Sequence, residues 1–506
     1  MRVSNRRIGW AVAMVATVLA TLVACGGGSV GTNGTGSPVL VGLDVGTVSG
    51  LGSVIVDGTR HDDSAANTEV RRSGTDVEVG DVRLGHRVSL EFGTDAAGAQ
   101  VLQRIELLPS VSGRVSERTG DTIGVLGQTV TVNSDPARGP VTAFDAPLNS
   151  LADLRLGDAV DVHALTRRTG AGPADVRLVA TRIARRSALP GVRVSGTVSA
   201  LSATGSGGAR SFRLGALAVE LPPSATLQPP GIALLDGRSV TVFAPESAFD
   251  PATLVLDASA VQVMSVGTVG SGGTSAASTL RRAGLIGAWT GTTFELDGLG
   301  LLVRADTQIV SAGQPLGDGA YVQATAVLNS SGRWQATRIE RLGAAAVLAE
   351  LRGTLGSWSA TAGTFRLRDT VVTLAPSAQI DLAACRVSSL ADGLYVEVQG
   401  ASTAQGLTAS TVVCAPEPAG TKSRLERHGL VLTADAAARK LTMRRQPGGA
   451  VLTVTWSDPL YLGESLTVAS LAALAGTSNQ IEVEGTLSAD GLQMVARKIK
   501  LYTPGR

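Results

Sequence analysis

The chain has 506 residues, 44 Lys+Arg against 42 Asp+Glu, a formal net charge of +2, 44% hydrophobic and only 3% aromatic residues. This length holds several domains, and the apolar fraction is too high for a disordered chain. The near-neutral balance gives no support to nucleic acid or another polyanion as a partner.

Arg2, Arg6 and Arg7 precede an uncharged apolar run from Ile8 to Ala24, which ends at Leu22-Val23-Ala24-Cys25. A positive start, an apolar stretch and small residues before a Cys resemble the lipobox of bacterial lipoproteins. That reading makes residues 1–24 a signal peptide. Cys25 is then the lipidation site, and residues 25–45 are the lipidated Cys and a flexible tether, rich in Gly and Ser. It places the protein in the envelope of a Gram-negative bacterium, anchored by its N-terminal lipid. Gly26 after the Cys favours the outer membrane, by analogy with enterobacterial sorting. The competing reading is an ordinary secretory signal with a chance Cys.

Short runs of Val, Ile, Leu and Thr follow, broken by Gly, Asp-Gly, Asn and Pro, as in all-β proteins. The runs recur. A Gly-x-apolar opening appears at Gly46-Thr47-Val48, Gly113-Arg114-Val115, Gly196-Thr197-Val198, Gly284-Leu285-Ile286, Gly353-Thr354-Leu355 and Gly429-Leu430-Val431. A middle segment, Leu84-Gly85-His86-Arg87-Val88, matches Leu156-Gly157-Asp158-Ala159-Val160, with looser versions at Leu235 and Leu316. Closing strands include Ala180-Thr181-Arg182-Ile183, Ala336-Thr337-Arg338-Ile339 and Ala496-Arg497-Lys498-Ile499. Self-similarity on this scale marks tandem small domains.

The predicted units are 46–109, 110–188, 190–265, 279–345, 347–414 and a divergent 423–506, with linkers at 266–278 and 415–422. Each is expected to be an antiparallel, OB-like small barrel, its opening Gly allowing a bulge or sharp coil. Ser150-Leu151-Ala152-Asp153, Ser389-Leu390-Ala391-Asp392 and Ser470 to Leu474 suggest short helices capped by Ser.

The ordered motifs resemble the bacterial "domain of unknown function 5666" family, over nearly all of residues 46 to 503. The resemblance implies tandem β-rich repeats in lipoproteins or secreted proteins. It brings no catalytic residues.

No nucleophile elbow, zinc-protease helix or phosphate loop is present, so the chain reads as no enzyme and as needing no cofactor. The four His read as exposed loop residues. The Arg pairs Arg71-Arg72, Arg185-Arg186, Arg281-Arg282 and Arg444-Arg445 read as solvated faces. Asp57, His61, Asp62 and Asp63 form the one polar cluster, but a hairpin turn at Asp57-Gly58 accounts for them without a metal. Cys385 and Cys414 are candidates for a disulfide, closing a loop of about 30 residues and worth about 3 kcal/mol. Buried free thiols are the alternative. Trp289 and Trp358 follow the opening Gly of their units at equal spacing. They either close the barrel ends as core or form a weak ligand platform. Two functions compete: a non-catalytic envelope scaffold with an unidentified partner, and a binder of carbohydrate or peptidoglycan through these aromatic faces.

Overall fold

A computed structural model describes residues 42–502 except 62–68, 73–74, 77–80, 95–99, 171, 173–174, 206–207, 264–278, 312, 344–347, 369, 416–423, 446–450, 464–465 and 489–491. Cys25, the tether to residue 41 and all but Ala415 of the two proposed linkers therefore lie outside the described residues.

The protein is all-β, built from tandem small barrels. The C-terminal one shows the plan. Its strands Arg424–Asp435, Lys440–Arg445, Val451–Leu462, Gln480–Leu487 and Gln493–Tyr502 close in the order first, second, third, fifth, fourth and back to first. Every pair is antiparallel except the third with the fifth. A ring of five strands cannot alternate direction all the way round, so one parallel pair is forced. This corrects the wholly antiparallel expectation and gives an OB-like barrel.

The fourth repeat follows the same order. Its strands are Thr279–Gly287, Thr293–Leu296, Leu299–Leu302 continued by Gln308–Val310, Tyr321–Leu328 and Trp334–Arg341. The second repeat does so with Val111–Thr119, Thr122–Val125, Gln128–Val132, Ala159–Arg168 and Val176–Arg186. The fifth does so from Leu348–Thr354 to Gly406–Cys414. In the third, starting at Val192–Thr197, the first two strands are joined by an isolated bridge between Ser199 and Arg213 and a bond from Ser202 N–H to Ser211 C=O (2.8 Å).

Two sequence motifs meet in each of the first five repeats. The apolar residue of the opening exchanges two backbone bonds with the middle turn. Gly85 N–H donates to Val48 C=O (2.9 Å), and Val48 N–H donates to His86 C=O (2.9 Å). The same exchange ties Val115 to Gly157 and Asp158, Val198 to Gly237 and Arg238, Ile286 to Gly319 and Ala320, and Leu355 to Gly393 and Leu394. The turn glycine has φ near +80° to +90° each time, a region costly for other L-residues. In the fourth repeat that residue is Gly319 (φ 81°), not Gly317. A Cβ would meet nothing within 4 Å at either position. Gly319→Ala should therefore cost about 1 kcal/mol from backbone strain alone, while Gly317→Ala should be neutral or slightly stabilising. Urea unfolding of the two variants checks the difference.

The opening glycine has another role than the one expected. It makes room for the hairpin between the second and third strands, which folds over it. A Cβ on Gly46 would lie 2.0 Å from Asp57 Oδ2, and one on Gly113 would lie 2.9 Å from Leu126 Cγ.

The closing motif holds a β-bulge. Thr181, Thr337, Ser410 and Arg497 are each the extra residue opposite the fourth strand, one place after the Ala. The Thr337 and Ser410 hydroxyls donate to fourth-strand carbonyls, of Thr325 and Gln399, whereas Thr181 gives its proton to Gly85 C=O of the first repeat (2.6 Å) and lies 3.2 Å from His163 C=O. The bulge bends the strand enough to close a small barrel.

The helix expectations fare unevenly. Leu151–Asp153 is a single 3-10 turn in a capping box with Ser150. Ser389 to Asp392 is not helical; Asp392 caps the Trp358 N–H instead (2.7 Å). The one α-helix among the described residues, Val468–Ala473, is capped by Thr467, with Ser470 as the reciprocal partner.

The barrels are not beads on a string. The first strand of the first repeat, Leu43–Leu51, pairs in parallel with the first strands of the fourth and fifth repeats. Second and third repeats join through Ser112 and Arg193, and they share one hydrophobic core; the first and fifth share another.

Candidate functional site

The densest polar chemistry lies where the first, second and fourth repeats meet. Two Asp-Gly hairpin turns are pushed into it. Asp57 and Asp297 take φ of 48° and 46°, followed by Gly58 and Gly298 at 79° and 76°, the double left-handed turn that Asp-Gly favours.

Asp297 reaches three repeats. Its Oδ2 accepts from Arg87 Nη2 of the first repeat (2.6 Å) and, more weakly, from Arg282 Nη2 of its own (3.4 Å). Its Oδ1 accepts from the Thr166 N–H of the second repeat (2.8 Å). Arg87 completes its bonding on Ala283 C=O (3.1 Å) and Thr47 Oγ1 (3.2 Å). Arg168 of the second repeat pairs with Glu295 of the fourth (2.8 Å). Asp57 accepts from the Thr47 N–H (3.0 Å) and from the Tyr321 hydroxyl of the fourth repeat. Burial outweighs the nearby Arg87 and these bonds, raising the Asp57 carboxyl to about 6; burial and Asp57 push the Tyr321 phenol well up.

The histidines correct the expectation of exposed loops. His61, His86 and His163 are buried, and His428 is half-buried against Glu482. His86 and His163 pack ring on ring across the first and second repeats, 4.5 Å between centroids. Burial holds His86 well below the usual imidazole range and lowers His163 to about 3. Both are therefore neutral at pH 7. That agrees with their Nδ1 atoms accepting backbone N–H bonds, from Arg83 and Arg87 respectively, each at 3.1 Å. The Arg pairs are not all solvated faces either: Arg281 binds the fully buried Asp44, and Arg282 is 6% exposed.

The predicted polar cluster is divided. Asp57 faces Thr47 and Tyr321, whereas His61 pairs with Asp44 (3.0 Å) and packs on Phe92. Asp62 and Asp63 lie outside the described residues. Among the described residues no group of three His, Cys, Asp or Glu is arranged to hold a metal ion.

Trp289 and Trp358 hold matching places. Each is half-buried and tilted on a Phe of its own barrel, Phe294 and Phe365, at 5.7 and 6.0 Å. Each backbone N–H is taken by the turn Asp, Asp318 (2.8 Å) or Asp392 (2.7 Å). They pack on different cores and form no shared platform. Cys385 and Cys414 are joined in a disulfide with Cα atoms 5.9 Å apart.

The junction roles of Asp297 and Arg87 and the packing of the two imidazoles escaped the sequence reading. Their one legible sign was the Asp-Gly pair recurring at 57 and 297.

Three segments, residues 112–184, 283–340 and 352–412, match the family model described as "Domain of unknown function (DUF5666)". No curated protein matches the chain. Among solved structures, the chain is similar to "drosophila Unr CSD456" at 13% identity, covering 44% of this chain and 96% of that one, with a TM-score of 0.13. A multidomain protein with nucleic acid binding domains from Streptococcus pneumoniae TIGR4 is similar at 14% identity, covering 45% of this chain and 74% of that one, with a TM-score of 0.10.

Proposed function

We propose that this chain, three segments of which match the DUF5666 model, is a non-catalytic scaffold of the Gram-negative envelope, anchored by lipid at Cys25 and presenting its joined barrels to another envelope component. One observation carries the reading. The charged side chains that a reaction centre would leave poised are spent on joining repeats: Asp297 on Arg87 and Thr166, Glu295 on Arg168, Asp57 on Tyr321. Strand pairing between the first, fourth and fifth repeats supports the same use, since shared backbone bonds hold the barrels in fixed register. A rigid array suits presentation of a surface more than closure over a substrate.

The run Leu22-Val23-Ala24-Cys25 supports the anchor. Dual or triple acylation holds a protein at a membrane where a single chain would not. Cys25→Ser should lose acyl label and leave the membrane fraction; a variant that keeps both defeats the anchor. Crosslinking in intact envelopes, followed by pull-down, should return the same envelope component repeatedly, and recovery of none would defeat the scaffold.

A further inference from the structure

One position recurs where the barrels meet. In every repeat the residue after the opening Gly lies opposite the first residue of the fourth strand. In the first five repeats this cross-strand pair faces another repeat. Arg87, opposite Thr47, bonds Asp297 of the fourth. Arg114, opposite Ala159, pairs with Glu246 of the third. Ser239, opposite Thr197, has its Oγ 3.1 Å from where a Cβ on Gly298 of the fourth would stand. Tyr321, opposite Leu285, donates to Asp57 of the first. Tyr395, opposite Thr354, belongs to the core of the sixth barrel, and Thr354 Oγ1 accepts from Arg427 of that barrel (3.4 Å).

In the sixth repeat the pair is Leu430 and Gln480. Leu430 packs on none of the hydrophobic cores, and the Gln480 side chain has no hydrogen bond among the described residues. Leu430 is half-buried, whereas Leu285, at the same place in the fourth repeat, is 4% exposed. The position that joins every other repeat to a neighbour is thus left uncovered on the sixth by the described residues.

The residue types fit one kind of partner. The pair carries no charge, and Gln is both donor and acceptor, so two copies of it bond amide to amide. Charges two residues along the same strands are already matched, Glu482 with His428 (3.1 Å) and with Lys500 (2.9 Å). An Arg at this position, as in the first and second repeats, would repel its own copy. We propose that the sixth barrel pairs with the sixth barrel of a second copy of this chain about a two-fold axis, Leu430 on Leu430 and Gln480 on Gln480. A two-fold contact is self-complementary and closes with two chains, which gives each sixth barrel the neighbour that the other five have. The Asp-Gly turns at 57 and 297 are already engaged within the chain, so the sixth barrel is the face a second copy has to offer. The pairing goes beyond the scaffold reading and does not depend on it.

Two measurements test it. Leu430→Cys, treated in intact cells with a bifunctional thiol reagent, should give a covalent dimer of the chain. Gln493→Cys, exposed at the far end of the last strand, should not. Cys385 and Cys414 are bridged and leave the added thiol as the target. Sedimentation velocity of the purified chain should show a reversible dimer. Gln480→Glu sets like charges face to face and should weaken that dimer at least about tenfold. A chain that stays monomeric up to about 100 μM, a Leu430→Cys link formed only to a different protein, or a dimer unmoved by Gln480→Glu would overturn the proposal. None of these results bears on membrane fractionation or on recovery of another envelope component, so the scaffold and the dimer stand or fall separately.

Discussion

Asp297→Asn should destabilise the folded protein by about 3 kcal/mol, more than any surface charge substitution in the chain. Asn keeps the left-handed conformation that the hairpin turn requires, so the variant removes charge and little else. What it leaves behind is the cost. Arg87 and Arg282 are 3% and 6% exposed, and both rely on this carboxylate. An uncompensated buried guanidinium is far more expensive than the pair it came from was favourable. Adding Arg87→Met to Asp297→Asn should therefore recover part of the loss, because it removes a stranded charge and fills the space with apolar atoms. Arg338–Glu340, a pair about 40% exposed, supplies the control: Glu340→Gln should change stability by no more than about 1 kcal/mol. Urea midpoints of the four proteins read the comparison. An Asp297→Asn midpoint equal to that of Glu340→Gln would show that the junction is not held by charge.

The repeat was legible because its motifs are demanded by backbone geometry. The opening glycine, the left-handed turn glycine and the closing Ala-x-x-Ile recur because a five-stranded ring needs a gap for its hairpin, a reversal and a bulge. Such needs leave marks at fixed spacing, which a single sequence displays. The junction was not legible for the opposite reason. Asp57 and Asp297 occupy the same turn position in their barrels, yet the equivalent residues are Leu126 in the second repeat and Arg368 in the fifth. Nothing local says that Asp297 meets an Arg 210 positions earlier. His86 and His163 likewise read as polar residues near turns, and only lateral packing of one barrel on the next makes them core. The divergent look of the last unit reflects side chains; its strand order is the clearest of the set.

Stability should fall as pH drops from 6.5 towards 4, and the packed imidazoles of His86 and His163 set the sign. His163 has its folded pKa lowered from 6.5 to about 3, and His86 is also held well below 6.5. Unfolded chains take up a proton on each His below about pH 6.5 while the folded protein does not. A lowered pKa thus gives stability that is complete above 6.5 and lost as pH falls, by about 1.4 kcal/mol per pH unit for each group. Asp57 runs the other way. Its folded pKa is raised from 3.8 to about 6, so the folded state gains from its protonation as pH falls from 6 to 3.8. Across that window His163 alone balances Asp57, and His86, also held well below the imidazole range, tips the sum towards loss. The three groups can be separated. His163→Gln keeps an acceptor for the Arg87 N–H and should flatten the decline by about half of what both imidazoles contribute. Asp57→Asn removes the opposing gain and should steepen it. Urea unfolding at intervals from pH 7.5 to 4 measures all three slopes. A wild-type slope retained in His163→Gln would mean that the imidazole pair is not buried neutral at the joint between the first two barrels.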